Sequence, residues 1–318
     1  MKKLFVKGLI IIIGFFMIDF VVGHALEFIL KNSPDGRFYK THYSLERSKE
    51  EIIIYGSSRA EGNYVSQIFE DSLGMSCWNS GRGGQSLPYM YAVNQAIIQH
   101  HSPKIAIINA ESWFLENYDH DNPFFDRAAG LLRPFYYDHK EIQAVINEVS
   151  YAEPFLNLSS LYAYNSSYYY LLRPYAFEGI DGKIEDKGWK PKTGVLNPSG
   201  KPLSILNTDN KINPIYKKFF DDFIHQLNSR GTKVYLVISP DYNKKVINTS
   251  TIEYFKSLDN IVLLDHSNNE KYTKNHLYFN DQNHLNEKGA REFSNDLALT
   301  IALDMSSNYL QKSTLAIK

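Results

Sequence analysis

The sequence predicts a three-layer α/β/α fold around a central parallel sheet, with an N-terminal transmembrane helix and a mid-chain insertion. Three observations carry this. Short continuous apolar runs such as "IIIY", "IAII" and "VYLV" read as strands buried on both faces. Amphipathic helical patterns separate them, so each strand is followed by a crossover to the next. The first thirty residues carry an apolar run of nearly spanning length, and residues 116–214 break the alternation.

Met1-Lys2-Lys3 precede "LFVKGLIIIIGFFMIDFVVGHALEFIL". From Leu9 to Val22 only Gly14 and Asp19 interrupt the apolar residues, and over Leu4–Gly23 the run is long enough to span. The leading lysines put the start in the cytoplasm and the bulk outside, periplasmic or extracytoplasmic. Residues 1–30 therefore read as a retained signal-anchor. The competing readings are a signal peptide cleaved near Gly23 and Ala25, giving a secreted chain, and a buried or interfacial helix. Asp19 opposes spanning, because a carboxylate in hydrocarbon is costly, but it lies toward the outer end. Residues 31–49, with Pro34 and Gly36, read as a linker. The α/β domain is expected over 50–305 and a C-terminal tail over 306–318.

Within the domain, Ile52–Tyr55 is a strand, and "EGNYVSQIFEDSLG" a helix closed by Gly74. "MSCWN" is a short strand and "SGRGGQS" a loop with three glycines. "LPYMYAVNQAIIQHH" is a helix with proline in its first turn. After Pro103, "KIAIINA" is another strand. The pattern resumes with "INPIYKKFFDDFIHQLNSRG" as helix, "TKVYLVISP" as strand, "TIEYFKSL" as helix, "NIVLLDHS" as strand and "NEKGAREFSNDLALTIALDM" as the last helix. The intervening 116–214 holds a helix, "DHKEIQAVINEVS", the aromatic run "LSSLYAYNSSYYYLLRPYAFEG" and a Gly/Pro/Lys-rich section over 179–202. It reads as an insertion over the sheet, with Tyr168-Tyr169-Tyr170 used in helix packing or in lining a substrate site.

Composition excludes several classes. Lys plus Arg number 34 against 35 Asp plus Glu, so nothing points to nucleic acid as a partner. The single cysteine, Cys77, rules out an intramolecular disulfide and a thiolate metal cluster. The histidines show no spacing such as H-E-x-x-H, so neither a metal nor a cofactor is expected. The 23 Tyr and 19 Phe suit amphipathic contacts or a wide groove, and equally an ordinary core.

In open parallel sheets ligands bind beyond the carboxyl ends of the strands. Four segments arrive there: Gly56-Ser57-Ser58-Arg59, Asn79–Gly84, Asn109–Trp113 and Ser239-Pro240-Asp241. A fifth feature, "YFNDQNHLNEKGA", sets Asp281 three residues before His284. A serine becomes a nucleophile only with a base, and the base needs an acceptor to orient it. His284 can be that base and Asp281 that acceptor. Each residue also has a plainer use: serine and aspartate cap helices, and glycine with serine makes turns.

Together these residues resemble the SGNH hydrolase superfamily, the GDSL-type lipases and esterases. More narrowly they are similar to its membrane-anchored envelope-acylation members, such as the D-alanyl transfer protein of teichoic acids and the alginate O-acetylation proteins. The resemblance covers 50–114 and 215–305 and implies an SGNH/flavodoxin-like sheet. It puts Ser58 in the nucleophile's place, with Ser57 where the family commonly has Asp, and makes Asp281 and His284 its partners. Asn79-Ser80-Gly81-Arg82-Gly83-Gly84 resembles the second block, with Asn79 at its start and the Gly84 N–H, or less well that of Gly81, as an oxyanion donor. The third block, Gly-x-Asn-Asp, has no match in "INAESWF". An ungapped count puts Trp113 near the missing Asn, and Asn109, Ser112 and Arg59 are the nearest replacement donors. Arg59 and Arg82 could bind an anionic group of the substrate or form structural pairs, Arg59 with Glu61, Glu111 or Asp281.

The implied function is an extracytoplasmic serine esterase or O-acyltransferase. It would act on acyl esters, acetyl first among them, of envelope or surface glycans or lipids, through an acyl-enzyme at Ser58. The alternative is a weak or inactive SGNH-like protein that binds a glycan or a membrane-bound acyltransferase. A nucleotide site at "GRGG" is a distant third, since the loop lacks G-x-G-x-x-G.

Overall fold

The computed structural model describes residues 2–116, 123–165, 167–179, 185–198, 206–208, 210–242 and 246–315. Parts of the Gly/Pro/Lys-rich section at 179–202 lie outside them. In chain order the elements are α1 (Lys2–Lys31), α2 (Gly36–Glu46), β1 (Ile52–Tyr55), α3 (Ser58–Asn63), α4 (Ser66–Leu73), β2 (Cys77–Asn79), α5 (Leu87–His100) and β3 (Ile105–Ala110). The insertion contributes α6 (Pro123–Leu132), α7 (Lys140–Asn147), α8 (Glu153–Leu156), α9 (Tyr168–Ala176) and β4 (Leu206–Thr208). The remainder is α10 (Pro214–Ser229), β5 (Lys233–Ile238), β6 (Val246–Asn248), α11 (Thr249–Lys256), β7 (Ile261–Asp265), α12 (Glu270–Thr273) and α13 (Glu287–Leu315).

β2, β1, β3, β5 and β7 form one sheet in that order, every pair parallel. Alternate residues of each strand enter opposite cores. Ile53, Tyr55, Ala106, Ile108, Val234 and Leu236 face α2, α5, α7 and α10, and the end of α1 joins that layer through Leu26 and Leu30. Ile52, Ile54, Ile105, Ile107, Tyr235 and Val237 face α3, α4 and α13. Both faces are covered, which is why these strands read as unbroken apolar runs. The chain reverses its direction across the sheet between β1 and β3, so a crevice opens at the carboxyl ends of those two strands.

Several expectations need correction. The linker at 31–49 is mostly the helix α2, whose Phe38 and Leu45 are fully buried. Its polar pattern hid this, because Lys40, Thr41, His42 and Ser44 are buried as well. The single helix expected over 61–74 is two, broken at Tyr64-Val65. There the Asn79 side chain donates to the carbonyls of Ala60 and Tyr64, which the break leaves without helical partners. The last helix runs on to Leu315, through most of the expected tail.

The insertion stays attached to the domain. Its α6 and α7 pack on α5 through Phe125, Ala128, Leu132, Ile142 and Val145. Its segment 187–190 meets the free edge of β2, where Asn79 N–H donates to the Lys187 carbonyl, and the end of α3, where Lys190 N–H donates to the Glu61 carbonyl and Trp189 Nε1 to the Gly62 carbonyl. Gly188 (φ +81°) passes so close that a Cβ there would strike the Asn79 carbonyl.

The apolar helix α1 is long enough to cross a membrane, and its large apolar residues from Leu4 to Val22 are exposed. Along the C-terminal half a stripe is buried instead: Asp19, Gly23, Leu26 and Leu30. Asp19 accepts from Ser159 Oγ at 2.5 Å, Ser160 N–H at 2.8 Å and Leu161 N–H at 3.2 Å. The carboxylate that weakened the spanning expectation is thus satisfied by the insertion.

Candidate active site

β1 ends at Tyr55, and Gly56 turns the chain into α3 with φ +153°, a region open essentially to glycine. A Cβ there would also lie 2.6 Å from Ala60 Cβ and 3.0 Å from Asn109 Cβ. Ser57 caps α3 by accepting from Arg59 N–H at 3.2 Å, and Ser58 opens the helix half-buried. The two serines are therefore divided in role. Ser57 Oγ donates to the Glu111 carboxylate, whereas Ser58 Oγ is 2.7 Å from His284 Nε2.

His284 comes from the turn before α13. Its Nδ1 lies 2.8 and 2.9 Å from the two oxygens of Asp281. Asp281 also accepts from the N–H groups of Asn283 (2.9 Å) and His284 (3.0 Å), so the D-x-x-H turn is self-bonded and the carboxylate is fixed under the ring. With Nδ1–H given to Asp281, Nε2 is the free lone pair facing Ser58. Burial, aided by nearby Lys192 and opposed by Asp281, holds the imidazole below the usual histidine pKa and keeps it neutral at pH 7. Burial works against ionising Asp281, but the Asn283 N–H and the His284 ring outweigh it and the carboxyl sits below its ordinary value.

Ser58 and His284 open into a cleft of about 550 Å³ at the carboxyl edge of the sheet. The ends of four strands reach it: Ser57 to Arg59 after β1, Glu111 to Trp113 after β3, Ile238 and Asp241 at β5, and Asp265 with Ser267 and Asn268 at β7. α6 supplies Phe124 and Arg127, and α11 supplies Ile252 and Lys256. Gly84, with φ +76°, lines the same cleft.

The other singled-out residues divide. Arg59, Ser112 and Trp113 line the cleft. Asn79, Gly81, Arg82 and Asn109 do not, and each is explained by packing. Asn79 holds the chain break described above and accepts from Gly81 N–H at 2.9 Å. Gly81 is needed because a Cβ would lie 2.6 Å from Ala60 Cβ. Arg82 is buried and pairs with Glu61 at 3.1 Å. Asn109 Oδ1 accepts from Tyr64 OH at 2.8 Å and from Ser239 Oγ beneath the cleft. Arg59 is buried too, donating to the Ser239 (2.6 Å) and Pro240 (3.0 Å) carbonyls, with Asp241 at 3.3 Å and Glu111 at 3.9 Å. Of its expected structural partners, Glu111 is correct and Glu61 and Asp281 are not.

No family model matches this chain, and no curated protein matches it. Among solved structures, one from Bacteroides fragilis, described as a candidate acylhydrolase, is similar over 84% of this chain and 94% of its own, at 12% identity and a TM-score of 0.39. At that distance it assigns no role to any residue here.

Sequence reasoning named Glu111 and Glu61 only as partners for Arg59 and missed what else they hold. Glu111 directly follows β3 and lines the cleft, and Glu61 lies outside it. Glu111 accepts from Ser57 Oγ and from Trp113 Nε1 (2.8 Å). Burial raises its pKa, against the pull of Arg59 and Ser57. Glu61 lies under the glycine loop and accepts from Lys40 (3.4 Å), Arg82 (3.1 Å) and Gly83 N–H (3.0 Å). Burial opposes its charge, but Lys40, Arg82 and Lys190 hold its pKa down at about 2. It thereby fixes the loop that brings Gly84 to the cleft. Among the described residues no group of three or more His, Cys, Asp or Glu is placed to hold a metal.

Proposed function

We propose that the protein is a membrane-anchored, extracytoplasmic serine esterase or O-acyltransferase of the SGNH type, acting on acyl esters of envelope or surface glycans. The observation that carries this reading is the relay of Ser58 Oγ, His284 Nε2 and Asp281, with 2.7 Å and 2.8 Å contacts. The strand order, which is flavodoxin-like, and the site's place at the strand reversal support it.

In this mechanism Ser58 Oγ attacks the ester carbonyl while His284 Nε2 takes its proton. The tetrahedral intermediate collapses, Nε2 returns the proton to the leaving alcohol, and an acyl group remains on Ser58. Water then regenerates the serine and releases an acid, or an acceptor hydroxyl carries the acyl group away. Gly84 N–H is the proposed oxyanion donor, with Ser112 as the side-chain donor in place of the missing Asn. Neutral His284 is the form that can accept the proton.

The test is labelling by a fluorophosphonate probe, comparing the parent with Ser58→Ala. The parent should be labelled and Ser58→Ala should not. A folded parent that takes no label would overturn the reading. Aryl acetates assayed with and without a glycan acceptor then separate hydrolysis from transfer.

A further inference from the structure

The insertion carries apolar side chains that its own packing leaves unused. Tyr151 is 92% exposed, Phe155 73% and Leu158 70%, and Leu172 and Tyr169 are exposed as well. Scattered apolar residues on a surface are ordinary. These are not scattered, because two contacts fix them to α1. Asp19 binds Ser159, Ser160 and Leu161, directly after Leu158, and Gly23 packs so closely on Ser160 that a Cβ would collide with it. Farther along, Tyr175 OH donates to the Ile29 carbonyl at 2.8 Å.

The helix sets the depth of these contacts. Its exposed apolar stretch from Leu4 to Val22 measures about 28 Å at 1.5 Å per residue, close to the ~30 Å hydrocarbon core. Asp19 then lies at the outer hydrocarbon boundary, and Ser159–Leu161 with it. Ile29 stands about 15 Å farther out. Leu158, next to Ser159, is at the deep end, and exposed phenylalanine and tyrosine stand nearby in sequence, the composition found where protein meets lipid headgroups.

We infer that residues 151–165 and 167–172 of the insertion form a second membrane contact, with Phe155 and Leu158 entering the outer leaflet beside α1. The occupant of this surface is lipid, and the inference rests on the reading of α1 as a membrane-spanning helix. The contact makes the insertion a ledge that holds the domain in one orientation on the bilayer.

The chain allows a clean test. Its one cysteine, Cys77, is buried, so an introduced surface cysteine can be labelled selectively with a polarity-sensitive fluorophore. Ile12→Cys, Leu158→Cys and Lys274→Cys are each made in the full chain and reconstituted in phosphatidylcholine vesicles. Lys274 is exposed on the opposite layer of the sheet. Lipids spin-labelled near the headgroup should quench the Leu158 label several-fold more than the Lys274 label. Mid-chain spin labels should quench Ile12 most. A Leu158 label quenched no more than Lys274, with Ile12 quenched, overturns the ledge and leaves the anchor standing. A Leu158 label that is blue-shifted but unquenched means protein covers it, a second copy for instance, and also overturns the inference. An unquenched Ile12 overturns anchor and ledge together. Fluorophosphonate labelling of Ser58 in the same vesicles reports the chemistry independently of all three.

Discussion

Glu61→Gln removes one charge from a buried cluster and leaves two cations without their counter-charge. Glu61, Lys40 and Arg82 are all under 10% exposed, and the carboxylate lies 3.4 and 3.1 Å from the two cationic groups. Against burial, Lys40, Arg82 and Lys190 hold this carboxyl down at about 2, which favours the folded chain at neutral pH, while burial holds the Lys40 ammonium down at about 8 and works the other way. Breaking one side of a buried ion pair costs ~3–5 kcal/mol. The sign with pH follows from the lowered value. The contribution is complete above pH 4.5 and is lost as pH falls toward 2. Thermal unfolding of the full chain in detergent, followed by tryptophan fluorescence, should show the variant melting roughly 5–10 °C below the parent at pH 7. The gap should narrow on acidification. Equal melting temperatures at pH 7, or a gap that widens as pH falls, would refute the assignment of Glu61 as the anion that holds the glycine loop.

Four further outcomes are expected. Asp281→Asn should lower ester turnover on the order of 10³–10⁴-fold, by releasing the His284 tautomer, while leaving the melting temperature nearly unchanged because the carboxylate is half exposed. Because burial lowers the His284 pKa, the acid limb of Ser58 labelling should have its midpoint below the ordinary imidazole value of about 6.5; a midpoint above it would refute the assignment. Asn109→Ala should cost about 1–3 kcal/mol of stability by removing the acceptor shared by Tyr64 OH and Ser239 Oγ and leaving them only each other, with labelling changed little. A folded Asn109→Ala protein slowed by two to three decades would instead make Asn109 the oxyanion donor. Gly56→Ala should fail to accumulate as folded protein, since the φ of +153° and the 2.6 Å approach to Ala60 leave no room for a Cβ; expression and solubility measure this directly.

The sheet was legible because its strands announce themselves. Ile52–Tyr55 and Ile105–Ala110 have every residue buried, so apart from Asn109 near the end of the second the runs are unbroken by polar residues and mark the strands. The approach of Asp281 and His284 was legible for a local reason: three residues apart in one tight turn, they can share a single hydrogen-bonded unit. The break at Tyr64-Val65 was not legible. It depends on Asn79, fifteen residues on, reaching back to carbonyls that no local pattern marks. Burial of α2 was hidden because its polar side chains are consumed by distant partners, Lys40 by Glu61 and the Gly188 carbonyl, and Ser44 by Trp78 Nε1. Arg82, Asn79 and Asn109 were drawn into the site by position along the strand ends. Whether such a side chain turns into the cleft or under it is decided by tertiary partners alone.

The stripe Asp19, Gly23, Leu26 and Leu30 makes α1 a strut of the domain and not a tether. Cutting the chain near Ala25 would take away Asp19 and Gly23 and strand the N–H groups of Ser160 and Leu161. A rigid joint gives the cleft a set working distance from the bilayer, where a flexible linker would let it roam. An ester on a long polymer can be threaded to that height; one on a short lipid headgroup must already stand there.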